Sequence, residues 1–133
     1  MKNGKKSKPF PETQALIDDF LTLSRSSYEE GLGALYAYER QIPKTAASKI
    51  LGLKEFYGID DSETLKFFLV HLEADVAHAQ ATRLLFQELP PEKRGCAEQA
   101  AKKIAQSVWT MLSGIQSQTI GPYFNDCSLA IEE

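Results

Sequence analysis

Apolar residues recur every three or four positions along most of this chain, which is the spacing of one face of an α-helix. The predicted helices cover residues 11–24, 31–41, 43–57 and about 63–88, and a last long helix follows Pro90-Pro91. No segment alternates between apolar and polar residues as a half-buried strand does. The predicted fold class is therefore all-α, a helical bundle.

Several residues at the predicted ends are typical of helix boundaries. Ser27 is followed three residues later by Glu30, the arrangement of a capping box at a helix start. Gly58 is placed to end the third helix. Asp60, Asp61 and Ser62 are candidates to cap the longest helix. The last helix begins after Pro90-Pro91, because proline suits the first turn of a helix and interrupts a longer one.

These boundaries predict a single helical domain over residues 11–117. The segment 1–10 carries four lysines without apolar spacing, and we interpret it as a disordered basic tail. Residues 118–133 show no clear period and are predicted to form an irregular tail. A chain of 133 residues is long enough to bury one modest core.

Composition excludes several classes of protein. A formal net charge of −3 does not favour a nucleic-acid partner, which usually leaves a basic footprint. No apolar run approaches the roughly 20 residues of a membrane span, and no apolar run follows the lysines as in a secretory signal. Cys96 and Cys127 are far apart in sequence, so we expect free thiols in a cytoplasmic protein.

The candidate chemistry lies on the longest helix. His71, Asp75 and His78 are separated by four and three residues, so all three project from one face. Leu65, Leu69, Leu72, Val76 and Ala79 form an adjoining apolar stripe, which predicts that this helix is buried around much of its circumference. Two imidazoles and a carboxylate in such a place need partners, and a divalent cation would satisfy them together.

Glu39 is a further candidate ligand, on another helix. Leu32, Leu35, Glu39 and Ile42 are spaced as one stripe, in which Glu39 is the polar member. A carboxylate among apolar neighbours is a functional candidate, and helix bundles build metal sites from such inward-facing side chains. By contrast, Glu73 is two residues from His71 and is predicted to be a surface acid.

The spacing leaves alternatives open. The three residues of the longest helix are also compatible with a hydrogen-bonded string in a core, or with a cluster on a partly wet face. They include the only two histidines of the chain, with an acid between them, which favours a metal. Carboxylate and imidazole ligands suit iron, manganese or zinc, and the spacing does not decide among them.

Two segments carry a resemblance to a known family. ALYAYERQIPKTAASKILGLKEFYGI and HLEADVAHA resemble the haem-oxygenase-like diiron family, most specifically at the patterns YxYExQIP and HxEADVxHA. The branch in question is that of the chlamydial protein associating with death domains. The pyrroloquinoline-quinone synthase and thiaminase-II types belong to the same group. The resemblance runs from about residue 13 to residue 117.

This resemblance implies a helical bundle with an iron site, in a branch described as oxygen-activating 4-aminobenzoate synthases of folate biosynthesis. The implied metal ligands are Glu39, His71, Asp75 and His78. Lys49 matches a lysine that this branch is thought to use as an internal amino donor, and its alternative is an ordinary surface lysine.

The family's dimetal site takes six side chains, and its remaining glutamate and histidine, with a tyrosine, come from an earlier helix. These 133 residues contain no counterpart of that region, so the resemblance covers the carboxyl-terminal half of the fold. We therefore expect one chain to hold an incomplete site, in an oxidoreductase-like protein that forms homo-oligomers or takes a second chain as partner. The alternative function is a non-catalytic helical interaction or oligomerisation module.

Overall fold

The computed structural model describes residues 8–119, which form five helices and no strand. These are α1 Pro11–Ser26, α2 Tyr28–Glu39, α3 Ile42–Tyr57, α4 Ser62–Glu88 and α5 Pro91–Thr119. The all-α prediction is confirmed. Of the two predicted tails, residues 1–7 and 120–133 lie outside the described part. Helix α5 continues to Thr119, two residues beyond the boundary predicted at residue 117.

The predicted caps explain where the helices begin and end. The Oγ of Ser27 accepts a hydrogen bond from the backbone N–H of Glu30 over 3.2 Å, which satisfies one free donor at the start of α2. Gly58 ends α3 in the left-handed conformation at φ 64°, which glycine adopts without strain. The Oδ1 of Asp61 accepts from the N–H of Thr64 over 2.8 Å, and this bond lowers the pKa of Asp61.

Helices α1, α2 and α5 pack against one another, and the most extensive contact is between α2 and α5. The α2 face in this contact consists of small residues, because Gly33, Ala34 and Ala37 are all buried. Ala97 and Ile104 of α5 are fully buried against them. Small side chains on both helices let their backbones approach closely, so this contact forms the centre of the core.

Gly33 marks the closest approach of α2 and α5. A Cβ atom on Gly33 would collide with the backbone of Ala97, within 2.8 Å of its carbonyl carbon and 2.9 Å of its Cα, and nearer still to its carbonyl oxygen. The glycine has an ordinary helical backbone, so space and not a special φ value requires it there.

Ion pairs join the same helices at the periphery. The Nζ of Lys93 in α5 lies 2.6 Å from Oε1 of Glu29 in α2. This hydrogen bond lowers the pKa of Glu29, as expected for a carboxylate beside a cation. On the α1 side, the Nζ of Lys103 lies 3.3 Å from Oδ2 of Asp19. These contacts fix how α5 is aligned along its two neighbours.

Helix α4 packs against α3 and, less extensively, against α2. Seven residues of α4 face these neighbours with alternating spacings of three and four, and we call them the inner stripe: Leu65, Phe68, Leu72, Asp75, Ala79, Thr82 and Phe86. All seven are buried or half-buried. Asp75 lies at the middle of this stripe and is its one charged member.

The opposite side of α4 carries a second apolar series, which we call the outer stripe. It consists of Phe67, Val70, Ala74, Ala77, Ala81 and Leu84. Phe67 is 64% exposed, Val70 54% and Leu84 60%. Leu69 and Val76 are also exposed. The prediction that α4 is buried around much of its circumference is therefore wrong for residues 8–119, because no described helix covers this side.

One further predicted core position lies at the surface. Leu35 of α2 belongs to the predicted apolar stripe that contains the buried Leu32, but Leu35 is exposed. None of the helices in the described range is long and apolar enough to cross a membrane. Cys96 is exposed with a free thiol, as predicted, whereas Cys127 lies outside the described residues.

Candidate functional site

Asp75 is the most unusual polar residue of the described chain. Its side chain is only 8% exposed, and its Oδ2 atom is buried without any hydrogen-bond partner. Its other oxygen, Oδ1, lies 3.4 Å from Nδ1 of His78, one helical turn away. An unsatisfied buried carboxylate oxygen is destabilising by several kcal/mol in an apolar setting unless a donor or a cation meets it.

Glu39 lies at the end of α2, and α4 holds its side chain in place. The Oγ1 of Thr82 donates to Oε2 of Glu39 over 2.8 Å, and it lies at the same distance from the carbonyl oxygen of His78. Glu39 is half-buried. This hydrogen bond joins residues 43 positions apart and brings the Glu39 carboxylate to the inner stripe of α4, two turns from Asp75.

Thr82 is the residue that the sequence analysis missed. The sequence nevertheless places Thr82 on the helix face of the predicted ligands, since Thr82 follows His78 by four residues and Asp75 by seven. A hydroxyl at this place orients the Glu39 carboxylate. Supporting hydrogen bonds of this kind fix the rotamer of a carboxylate that binds a metal.

His71 is half-buried on the same helix face. Its Nδ1 lies 2.7 Å from the carbonyl oxygen of Phe67, and since a carbonyl only accepts, Nδ1 carries the hydrogen. The neutral ring then has its lone pair on Nε2, the form in which histidine binds metals. The Phe67 ring stacks on the imidazole with centroids 4.1 Å apart, which holds the ring in this orientation.

His78 lies farther out than the sequence predicted. Its side chain is 62% exposed, so the expectation that it is buried is wrong for the described residues. Its Nδ1 faces the Asp75 carboxylate, which leaves Nε2 directed away from this contact. The exposure and the free nitrogen together make His78 accessible to a ligand or to another protein surface.

The structure places Asp75 against His78 and joins Glu39 to α4 through Thr82, but it does not bring the four predicted ligands into a closed site. Within residues 8–119 no three or more histidine, cysteine, aspartate or glutamate side chains lie close enough to hold one metal ion. In donor chemistry the residues fit iron, because two carboxylates and two imidazoles suit it. The unpartnered oxygen of Asp75 also fits, because a cation would satisfy it.

Two other predicted features can be located. Lys49 lies exposed on α3, outside the hydrogen-bonded set formed by Glu39 and Thr82, and its role as amino donor stays a prediction. Glu73 is exposed on α4, which confirms it as a surface acid. Glu73 therefore offers a matched control for any substitution of Asp75, since the two acids share a helix and differ in burial.

The Thr82–Glu39 hydrogen bond can be tested by replacing Thr82 with valine, which keeps the side-chain shape and removes the hydroxyl. We expect Thr82→Val to lower the free energy of unfolding by about 1 kcal/mol, because the half-buried Glu39 carboxylate loses a donor. Urea denaturation measures this change. In a Glu39→Gln background the loss should be smaller, since a neutral amide accepts more weakly.

Thr110→Val is the control, because Thr110 is exposed on α5. A surface substitution of this kind should change the free energy of unfolding by no more than about 0.5 kcal/mol. An equal loss from Thr82→Val with and without Glu39 would show that the two side chains do not interact.

Comparisons with known proteins agree with this donor chemistry. A family model described as an iron-containing redox enzyme matches residues 2–111. The 4-aminobenzoate synthase of Nitrosomonas europaea is 37% identical over 108 residues, which is 79% of this chain and 44% of the relative. The 4-aminobenzoate synthase of Chlamydia pneumoniae is 38% identical over 90 residues, which is 67% of this chain and 40% of that protein.

The corresponding protein of Chlamydia trachomatis is 37% identical over 86 residues, which is 65% of this chain and 37% of its own length. The chain thus spans between 37% and 44% of the length of these curated relatives.

Proposed function

The chain belongs to the family of iron-containing redox enzymes, and from this premise we propose that it binds iron through Glu39, His71, Asp75 and His78. The proposed activity is that of an oxidoreductase related to the 4-aminobenzoate synthases. The observation that carries the proposal is the buried, unpartnered Oδ2 of Asp75. A metal ion at this oxygen would remove the unfavourable free energy of an unsatisfied buried carboxylate.

Each of the four side chains has a distinct part in the proposed site. Asp75 provides a buried anionic oxygen, and His71 provides Nε2, because its Nδ1 hydrogen is held by the carbonyl oxygen of Phe67. Glu39 provides a carboxylate that Thr82 orients. His78 provides an imidazole at the exposed edge, where its distance from the core leaves it free to move toward a bound ion.

Iron bound to carboxylates and imidazoles would supply oxidation–reduction chemistry, as the family description implies. Zinc or manganese suit the same donors and are the alternatives for the metal. The residues of this chain would bind the ion and orient it, while the apolar members of the inner stripe exclude water from Asp75. A pair of metal ions would need more ligands than these four, and we propose that a second copy or a second chain contributes them.

The substrate class follows only from the relatives, whose names specify synthesis of 4-aminobenzoate. We extend that chemistry, which serves folate biosynthesis, to this chain as part of the proposal. Lys49 is the proposed amino donor. Its exposure on α3 leaves the amine accessible, although no contact joins it to the four proposed ligands.

Iron content is the direct test. Metal-free protein is loaded with ferrous iron without oxygen, excess iron is removed, and bound iron per chain is measured. We expect the unmodified protein to retain iron, and Asp75→Ala to bind it at least about tenfold more weakly, since even indirect partners of a metal contribute that much. Glu73→Ala should bind iron as the unmodified protein does. Equal iron in the unmodified protein and in Asp75→Ala would overturn the ligand assignment.

Glu39→Ala separates a binding role from a structural one. We expect this variant to bind iron more weakly while its helix content, measured by circular dichroism, stays nearly unchanged. The reason is that Glu39 is the last residue of α2 and its carboxylate contacts α4 through the one hydrogen bond to Thr82. Global loss of helix in Glu39→Ala would instead identify Glu39 as a structural residue.

A second candidate function is a helical interaction module without catalysis. The exposed apolar side chains of α3 and α4 favour it, and the most exposed of these are Leu51, Phe56, Tyr57, Phe67 and Leu84. Exposed apolar residues mark sites of protein association where they form a contiguous patch. The two functions are compatible, because the exposed apolar residues of the outer stripe and the buried Asp75 lie on different sides of α4.

A further inference from the structure

A cleft opens where the end of α2, the start of α3 and the middle of α4 meet. Its volume is about 550 Å³, within the range of about 300–1,000 Å³ that is usual for small-molecule sites. Two arginines line it, Arg40 directly after α2 and Arg83 on α4. Among the described residues that line it, none is acidic. The cleft is therefore a positively charged space of the size of a ligand.

Neither of these guanidinium groups has an anionic partner within residues 8–119. The ion pairs of that range involve His78, Lys93 and Lys103 instead. The carboxylate nearest to Arg40 in sequence, that of Glu39, accepts a hydrogen bond from Thr82. Two like charges that line one cleft repel each other, and an anion between them would replace this repulsion by attraction.

An aromatic ring holds Arg40 in place. The Cζ atom of Arg40 lies 5.9 Å from the centroid of the Tyr36 ring, which is a cation–π contact. The Tyr36 ring in turn packs on Phe86, with centroids 5.4 Å apart. Because Tyr36 is half-buried, this stack forms one wall of the cleft before a ligand binds. A guanidinium that is already oriented loses less side-chain entropy on binding.

The rest of the lining is largely apolar. It includes Pro43, Val76 and Ala79, with Gln80 as a further polar group on α4. Apolar side chains favour the body of an organic ligand, because its surface is removed from water against them. A guanidinium binds a carboxylate through two parallel N–H donors. The lining as a whole suits a ligand that combines a carboxylate with an apolar body.

We propose that this cleft binds a small aromatic carboxylate, with its carboxylate bound by Arg40 and Arg83 and its ring on the apolar lining. The choice of an aromatic acid rests on the proposed function, since the relatives are named for the synthesis of 4-aminobenzoate, which is such a molecule. Inorganic phosphate carries the charge without the ring, so it lacks the apolar contacts.

The cleft lies apart from the histidines of the proposed iron site. Successive residues of a helix are rotated by about 100°. On α4 this rotation places Val76 and Arg83 to one side of Asp75, and His71 and His78 to the other. A ligand in the cleft would leave both imidazoles free, so this site is additional to the metal ligands.

Isothermal titration calorimetry of metal-free protein with 4-aminobenzoate tests the site independently of iron. The expected dissociation constant is on the order of 100 µM, because a ligand of about ten non-hydrogen atoms gains a modest free energy in an open cleft. 4-Aminobenzamide has a neutral amide in place of the carboxylate and should bind at least about tenfold more weakly. Inorganic phosphate should also bind at least about tenfold more weakly, because it has no ring.

Two variants locate the binding. Arg83→Gln should weaken the binding of 4-aminobenzoate at least about tenfold, because the carboxylate loses charged donors. Arg40→Gln should have the same effect, and it decides the question if Arg83→Gln fails to fold. The matched control is Arg25→Gln, since Arg25 is exposed on α1 and does not line this cleft. This control should bind 4-aminobenzoate as the unmodified protein does.

Equal binding by the unmodified protein, Arg83→Gln and Arg40→Gln would overturn the inference, as would no binding at millimolar concentration. Binding of phosphate or 4-aminobenzamide as tight as that of 4-aminobenzoate would overturn the aromatic carboxylate as the ligand. Iron retention without binding of 4-aminobenzoate would contradict this inference alone. Binding of 4-aminobenzoate by a protein that retains no iron would contradict the proposed iron site alone.

Discussion

Replacing Gly33 by alanine is expected to lower the free energy of unfolding by about 3 kcal/mol, near the upper limit for an added methylene in a packed core. The added Cβ would meet the backbone of Ala97, which cannot turn aside as a flexible side chain can. Helices α2 and α5 would have to separate, and the contact at the centre of the core would weaken. Urea denaturation followed by circular dichroism measures the loss.

Gly95→Ala is the matched control, because this glycine lies in α5 and a Cβ atom there meets nothing within 4 Å. Alanine is the better helix former by up to about 1 kcal/mol, so this variant should be more stable than the unmodified protein. If Gly33→Ala lowers the free energy of unfolding and Gly95→Ala raises it, the loss can be assigned to the α2–α5 contact. Stability unchanged in Gly33→Ala would mean that the two helices are less closely packed than described.

Ferrous iron is expected to stabilise the protein, and Asp75→Ala is expected to lose at least about half of this gain, in line with its tenfold weaker binding. An ion that binds only the folded state raises the free energy of unfolding by about 2.7 kcal/mol at 100 times its dissociation constant. The gain depends on the Asp75 carboxylate, because Oδ2 is its buried anionic partner. Urea denaturation without oxygen, at increasing iron concentration, measures the gain.

Glu73→Ala should show the full gain, since Glu73 is exposed on the same helix. Denaturation of the metal-free proteins shows whether Asp75→Ala has damaged the fold before iron is added. If iron stabilises Asp75→Ala as much as the unmodified protein, the ion binds elsewhere. If iron stabilises neither protein, iron binding by these residues is contradicted.

The helix boundaries could be predicted from sequence because local chemistry determines them. Ser27 and Asp61 cap the helices that follow them, and each accepts a hydrogen bond from a backbone N–H three residues ahead. Gly58 ends α3 because it adopts a positive φ value. None of these effects depends on a distant part of the chain, so the sequence was sufficient to place them.

Burial could be predicted only in part, because periodicity identifies the residues that share a face without telling what covers that face. Leu65 and Leu72 of α4 pack toward the rest of the chain, whereas Leu69 and Val76, predicted to adjoin them, are exposed. A helical glycine permits a close approach of another helix, but the residue that Gly33 approaches could not be predicted, since it is Ala97, 64 positions later in the sequence.

The candidate site could likewise be predicted from the sequence only in part. The buried position of Asp75 and the inward position of Glu39 follow from their apolar neighbours in sequence. The exposure of His78 does not follow, because spacing along a helix does not tell which positions a neighbouring helix covers. Thr82 was missed because a threonine in a helix is not distinctive until the carboxylate that it contacts is known. That carboxylate belongs to Glu39, on another helix.

The alanines of the outer stripe also affect how fast α4 can meet a partner. Ala74, Ala77 and Ala81 are the strongest helix formers by intrinsic preference, so the middle of this helix keeps its shape without a cover. A partner would then encounter a preformed rod and would not have to wait for a segment to order itself. Little conformational entropy is lost on docking, and the association rate should be set mainly by diffusion and orientation.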